Sequence, residues 1–228
     1  LCLINKIYKK EKFFFLPDPL PYIGDSFSNN AVEVFINQYK LKEKFEVKKI
    51  ENHELFQLIA GYISKSYIVG WFQGGMEWGP RALGNRSILA DPRNPKIKEI
   101  LNLKIKKREN FRPFAPSILY EYMDKWFEIK KPVPYMSEVY KIKESKAKLI
   151  PAVTHVDGTG RLQTITKDNG RFYGLLSEFN KQTKVPIILN TSFNENEPIV
   201  RTPEHAIKCY LRTNMDILVM EDWVVKRI

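Results

Sequence analysis

Tyr67-Ile68-Val69-Gly70-Trp71-Phe72-Gln73-Gly74-Gly75 is the stretch on which the fold turns. Its first six residues form a continuous apolar run of strand length. The glycine pair then breaks it. A strand feeding directly into a glycine-rich turn places that turn at a sheet's edge, where ligands often sit. The chain continues Met76-Glu77-Trp78-Gly79-Pro80-Arg81-Ala82-Leu83-Gly84-Asn85-Arg86-Ser87, and similar chemistry returns in Lys106-Lys107-Arg108-Glu109-Asn110-Phe111-Arg112-Pro113-Phe114-Ala115-Pro116. Cations lie there among glycines, prolines and aromatics. That mixture suits a dry pocket gripping an anion better than a solvated helix face. Glycine lets backbone approach a ligand, and the guanidinium fork matches phosphate oxygens in pairs.

Outward from this centre, strand and helix patterns alternate. Upstream, residues 52–64 read as a helix with Leu55, Leu58 and Ile59 on one face, and residues 40–50 as a charged connector carrying a domain boundary. Before it come a helix over about 30–39, with Ala31, Val34 and Phe35 at helical spacing, and a short buried strand at 13–16. The turn-rich Pro17-Asp18-Pro19-Leu20-Pro21 separates those two. Downstream, strands are expected at 87–90, 117–120, 135–142, 162–165, 185–189, 217–220 and 223–226. Helices fall at 95–105, 122–127, 171–182 and 203–211. The mixture is α/β.

At 228 residues, with 43% hydrophobic, 13% aromatic and 28% charged side chains, the chain has material for one substantial core or two small ones. The net charge of +11 attracts polyanions, but much of it is lysine clustered at 9–10, 42–49 and 141–148, as on a solvated face. No zinc-finger spacing or aromatic-glycine ribonucleoprotein signature favours nucleic acid, and no apolar run reaches the roughly 20 residues that span a bilayer. Cys2 and Cys209 lack paired spacing, which argues against a disulfide framework. With only His53, His155 and His205 beside them, no all-protein metal cage is expected. The absence of a secretory leader makes the cytoplasm the expected location. Leu1 in place of an initiating methionine reads as a fragment or a processed product.

Three cations stand out as candidates for chemistry. Arg81 leaves the rigid Gly79-Pro80 turn, Lys106 opens the second motif, and Arg112 lies between Phe111 and Pro113-Phe114, where an unpaired guanidinium is costly to bury. The plainer alternative pairs the arginines with Glu77, Glu109 or Asp91, with Arg86 and Arg108 in support. Asn190-Thr191-Ser192 supplies amide and hydroxyl donors just after a buried strand, as a phosphate-binding loop or as an ordinary polar turn. His155-Val156-Asp157-Gly158 offers a general base or a ribose-binding carboxylate, or simply a satisfied structural histidine.

Taken together, residues 76–93, 106–116, Thr154-His155-Val156-Asp157-Gly158 with Arg161 and Gln163, and Asn190-Thr191-Ser192-Phe193-Asn194 resemble the C-terminal domain of the O-carbamoyltransferases. That family includes nodulation and antibiotic-tailoring carbamoyltransferases, and the resemblance covers roughly 52–228. It implies a YrdC-like α/β domain: a twisted mixed sheet with flanking helices and an open basic concavity, here spanning 46–228. It also implies that carbamoyl phosphate and ATP, with Mg2+ on the nucleotide, give carbamoyl adenylate, phosphate and pyrophosphate, and that the carbamoyl group then passes to an acceptor hydroxyl. By the same resemblance Arg81, Lys106 and Arg112 are catalytic and, with Asn190 and Ser192, hold carbamoyl phosphate. Arg86, His155, Asp157 and Arg161 are the nucleotide contacts.

The transferase domain of that family has an actin-like ATPase fold and a metal-holding histidine motif, which this sequence does not contain. Residues 1–45 look like its last piece plus a linker, with Gly24-Asp25-Ser26 matching a glycine-rich segment only at its start. The chain is therefore expected to be incomplete alone, with the remainder on another chain or lost. The competing expectations are a non-catalytic nucleotide- or RNA-binding module, conceivable because tRNA threonylcarbamoyl-forming proteins are related, and a degenerate subunit of a split transferase. The acceptor is not readable from these residues.

Overall fold

A computed structural model describes residues 21–109 and 111–228. The strand expected at 13–16, and Cys2, lie outside the described residues. Among the described residues nine strands form one mixed sheet: β1 (Glu46–Lys49), β2 (Val69–Phe72), β3 (Arg86–Ala90), β4 (Ala115–Leu119), β5 (Glu138–Lys141), β6 (Thr159–Ile165), β7 (Ile187–Ser192), β8 (Ile217–Met220) and β9 (Trp223–Lys226). Their spatial order is β1-β9-β8-β2-β3-β7-β4-β6-β5. Only the β2–β8 and β4–β6 pairs are parallel; the other six are antiparallel.

The opening stretch forms a central strand, β2, and all four of its residues are buried. With β8 on one side and β3 on the other, the glycine turn sits at the end of an inner strand, not on a lateral edge as expected. Both of its backbone ladders are paired, and the uninterrupted apolar run suits the cover it has on both faces. Trp71 and Phe72 are fully buried there, each burial contributing about 1.5–3 kcal/mol.

The long helices among the described residues are α1 (Asn29–Gln38), α2 (Asn52–Ser64), α3 (Arg171–Thr183) and α4 (Pro203–Arg212). On α2, Leu55, Ile59, Ala60 and Ile63 turn inward, as spacing predicts for the first two, while Leu58 is only partly buried. On α1 the buried pair is Val32 and Ile36, and Val34 is exposed, so the inward face is rotated from the one expected. Ser28 caps α1 through Ala31 N–H, and Thr202 caps α4 through His205 N–H, with Pro203 at the first turn.

Residues 40–50 are not a simple connector. They make a short turn and then β1, an edge strand paired with β9. Edge strands tolerate alternate lysines, so charge there hid the strand. The described part of the first segment shares the main core, since Val32, Ile36 and Leu41 belong to the same buried cluster as the sheet. Two further boundaries moved. β6 begins at Thr159, inside the expected loop, and β7 extends through Asn190, Thr191 and Ser192, placing those residues on the sheet itself.

Candidate functional site

Glu77 organises the turn that follows β2. Its Oε1 accepts the backbone N–H groups of Leu83 (2.8 Å), Asn85 (2.8 Å) and Arg86 (3.0 Å), folding residues 77–86 into a closed loop. Gly84, at φ +114°, lets the loop lie on Phe172 of α3; a Cβ there would stand 2.2 Å from that ring. Arg81 projects from the loop's tip. Among the described residues it has no ion-pair partner.

The loop borders a cavity of about 90 Å³ against the ends of β4, β6 and β7. Arg81, Arg108 and Arg161 line it, together with Asn190, Thr191, Ser192 and the Pro113-Phe114-Ala115 turn. No carboxylate belongs to that lining. Burial pushes the Arg161 pKa below its ordinary value, and the charges of Arg81 and Arg108 push it the same way. Arg108 is likewise lowered, by burial first and then by Arg112. Its Nε donates to Asn102 Oδ1 (2.7 Å), and its guanidinium lies 4.9 Å from the Phe114 ring centre, so the fork is held in place. Three cations thus line one small cavity whose lining holds no carboxylate, although Glu109 offsets part of the effect on Arg108.

A fixed amide network supports the cavity floor. Asn190 Nδ2 donates to Gln163 Oε1 (3.0 Å), Ser117 Oγ (3.1 Å) and Ala82 O (3.3 Å), and Gln163 Nε2 donates to Leu83 O (2.8 Å). Backbone carbonyls fix which end of each amide is which. Asn190 Oδ1 is left buried without a partner.

The remaining candidates occupy different places. Lys106 is buried, and its ammonium donates to Ser192 O (2.5 Å), Ser192 Oγ (3.2 Å), Asn194 O (2.9 Å) and Asn194 Oδ1 (2.7 Å). It follows a π-helical stretch, Leu101–Ile105, with Lys106 N–H reaching back to Leu101 O (2.8 Å). Burial, aided by Arg108, pushes its pKa down to about 7. Arg112 pairs with Glu109 (2.9 Å), the partner the plainer alternative names, and is half exposed outside the cavity lining. Arg86 departs furthest from expectation. It is fully buried, donates to the carbonyls of Gln73 (2.5 Å), Asn85 (3.2 Å), Asp25 (2.9 Å) and Gly74 (3.0 Å), and stacks 3.6 Å from the Phe72 ring centre. Its guanidinium is committed to backbone and faces no open space; burial lowers its pKa to about 10.

His155 and Asp157 stand at a second opening, of about 420 Å³, which shares Pro113 with the arginine cavity and also includes Lys98 and Phe111. His155 Nδ1 lies 3.1 Å from Thr159 Oγ1, and burial lowers its pKa. Asp157 Oδ1 accepts the N–H (3.0 Å) and hydroxyl (2.7 Å) of Thr159, which hold its carboxyl below the usual range. A third, apolar cleft of about 400 Å³ shares Pro80 and Arg81 with the cavity and carries Trp78, Ile23 and Tyr135. Sequence reasoning placed Arg108 only in support; its proximity to the aromatic Phe114 was the available signal. Cys209 is buried, and burial pushes its thiol up to about 12. Among the described residues no group of three metal-ligating side chains occurs, and no helix is long and apolar enough to cross a membrane.

A family model described as Carbamoyltransferase C-terminus matches residues 60–227. The chain is 47% identical over 173 residues to nodulation protein NolNO of Sinorhizobium fredii, covering 74% of this chain and 25% of that protein. It is 38% identical over 180 residues to the 3'-hydroxymethylcephem-O-carbamoyltransferase of Amycolatopsis lactamdurans, covering 77% of this chain and 33% of that enzyme. An uncharacterized protein of Synechocystis is 38% identical over 251 residues, covering 100% of this chain and 40% of its own length. The chain thus spans 40% or less of these relatives. Among solved structures, full-length HypF in its phosphate- and nucleotide-bound form aligns with a TM-score of 0.51 at 16% identity, covering 81% of this chain and 23% of that one. That likeness is one of fold, and the mixed α/β, YrdC-like sheet expected from the sequence is the architecture observed.

Proposed function

The chain belongs to the Carbamoyltransferase C-terminus family, and from that premise we propose that its arginine cavity binds carbamoyl phosphate for reaction with ATP. The observation carrying this reading is the convergence of Arg81, Arg108 and Arg161 on one small cavity whose lining contains no carboxylate. Such a cluster is electrostatically unfavourable when empty and favourable around a dianion.

In the proposed reaction, water cleaves carbamoyl phosphate to carbamate and inorganic phosphate. A carbamate oxygen then attacks the α-phosphorus of ATP and expels pyrophosphate, leaving carbamoyl adenylate. Atoms balance with one water consumed. Preorganised guanidiniums stabilise the charge that develops on the departing phosphate with little rearrangement. Arg112 stands at the rim, near enough to lower the Arg108 pKa, and the second opening offers His155 and Asp157 to a nucleoside. Magnesium travels with the nucleotide, because the cavity offers cations and amides instead of metal-binding carboxylates. Transfer to an acceptor hydroxyl is not assigned to these residues.

The test is carbamoyl-phosphate-dependent exchange of label between pyrophosphate and ATP. Arg81→Ala and Arg161→Ala are expected to slow it about 10- to 150-fold, each losing a charge-assisted contact of about 1.5–3 kcal/mol. Unchanged exchange in both variants refutes the assignment. RNA binding with a steep salt dependence and no exchange would support a binding module instead.

A further inference from the structure

Residues 21–25 form a strap across the glycine turn. Gly24 N–H donates to Met76 O (3.0 Å), Met76 N–H to Asp25 O (3.0 Å) and Trp78 N–H to Pro21 O (2.6 Å). The approach is so close that a Cβ on Gly75 would stand 2.5 Å from Tyr22 O. Within the strap, the Tyr22 hydroxyl donates to Leu83 O (2.9 Å) and accepts from Asn169 Nδ2 (2.8 Å). Its direction is fixed at both ends. Asn169 Oδ1 accepts the Thr166 N–H (2.8 Å), which turns its amino end to Tyr22, and a carbonyl at Leu83 accepts only. Burial raises the phenol's pKa, so it stays a donor.

Leu83 O is shared. It also accepts from Gln163 Nε2, whose Oε1 holds Asn190 Nδ2 at the cavity floor. The Tyr22 ring packs with Leu83, Ala115 and Met136, the last two of which line the cavity. From this chain of contacts we infer that Tyr22 is a positioning residue for the arginine cavity. It lies outside residues 60–227, fixing the loop that carries Arg81 and, through Gln163, the Asn190 amide. The inference rests on the proposed anion-binding reading for its effect on affinity, but not for its effect on the loop.

The experiment compares Tyr22→Phe with Tyr39→Phe in the full chain. Tyr39 is a phenol of the same N-terminal region that bonds Glu204 (3.0 Å), away from the cavity. Carbamoyl phosphate affinity is measured by calorimetry, amide exchange at 82–86 by mass spectrometry, and unfolding midpoint by calorimetric scanning. Tyr22→Phe is expected to weaken carbamoyl phosphate binding about fivefold and to accelerate exchange at 82–86 selectively. Tyr39→Phe is expected to change neither. Combining Tyr22→Phe with Gln163→Met should give less than the product of the single effects, since both act on Leu83 O. If Tyr22→Phe leaves 82–86 exchange at the wild-type rate, or speeds exchange equally everywhere, the inference is overturned. Failure of the wild-type chain to bind carbamoyl phosphate would overturn the functional reading, and the exchange data would still decide the role of Tyr22.

Discussion

Replacing Arg161 by methionine should make the protein more stable and worse at binding its anion. Methionine keeps an apolar stem in place of the arginine's and removes a charge that the fold holds against both burial and two like neighbours, Arg81 and Arg108. Releasing a functional cluster from self-repulsion commonly stabilises by about 0.5–2 kcal/mol. For a chain of this size that is a rise in unfolding midpoint of roughly 1–8 °C. Binding moves the other way. Losing one charge-assisted contact costs about 1.5–3 kcal/mol, or about 10- to 150-fold in affinity. Carbamoyl phosphate at 100 times the wild-type Kd stabilises the wild type by about 2.7 kcal/mol. The same concentration stabilises a variant bound 100-fold more weakly by only about 0.4 kcal/mol. The two melting curves should therefore cross as ligand is titrated, the variant melting higher without carbamoyl phosphate and the wild type higher with it. A variant that melts below the wild type without ligand, yet keeps the full ligand-induced shift, would show that Arg161 is a structural cation and would refute the anion-site reasoning.

Two further outcomes follow from neighbouring residues. The Lys106 pKa of about 7 in the fold lies below the roughly 10.4 of an unfolded lysine, so between these values the unfolded chain binds more protons. Stability of the wild type relative to Lys106→Met should rise with pH across that window, by at most about 1.4 kcal/mol per pH unit, and stay level below it; urea titrations from pH 6 to 9 measure it. The charged groups felt by the amine are Arg108 and Glu197, with Cys209 neutral, and a pH-independent difference would mean that the four oxygen acceptors keep the ammonium charged. Gly84→Ala should lower stability by several kcal/mol, since φ +114° and a 2.2 Å approach to Phe172 act together. A far-ultraviolet melt superimposable on wild type would contradict the loop geometry.

Much of the fold was legible in the residues. β8, β9 and α2 match their expected spans, because turn residues or charged breaks bound each apolar pattern. The misreadings share a cause: partners, not patterns, decided them. Glu46–Lys49 is a strand because β9 offers an edge, and the last three residues of β7 stay extended because β3 pairs with Ser192, Thr191 and Asn190. Amphipathic spacing likewise could not choose between Val34 and Ile36 on α1 without knowing where the sheet lay. For the candidate site, the motifs named the segments that border the arginine cavity. They could not say which cations would face the cavity.

That partition is the step sequence could not supply, and it follows a simple rule of satisfaction. Arg81, Arg86, Lys106, Arg108 and Arg112 look alike as letters among glycines and prolines. In the fold, Arg86 and Lys106 each meet four hydrogen-bond contacts from oxygen acceptors, so they hold the turn and the β7 exit in place. Arg81, Arg108 and Arg161 meet no carboxylate within ion-pair distance among the described residues, and they face the same space. Cations committed to the protein's own acceptors have little left to offer a ligand, while the exposed Arg81 and the partly buried Arg108 and Arg161 repel one another across the empty cavity. Arg86 and Lys106 fix the backbone around the three arginines, which under the proposed function await an anion. Behind the cavity, the Gln163 and Asn190 amides have their polarity fixed by backbone carbonyls, so the strand end that carries Asn190 is held rigid beside the arginines.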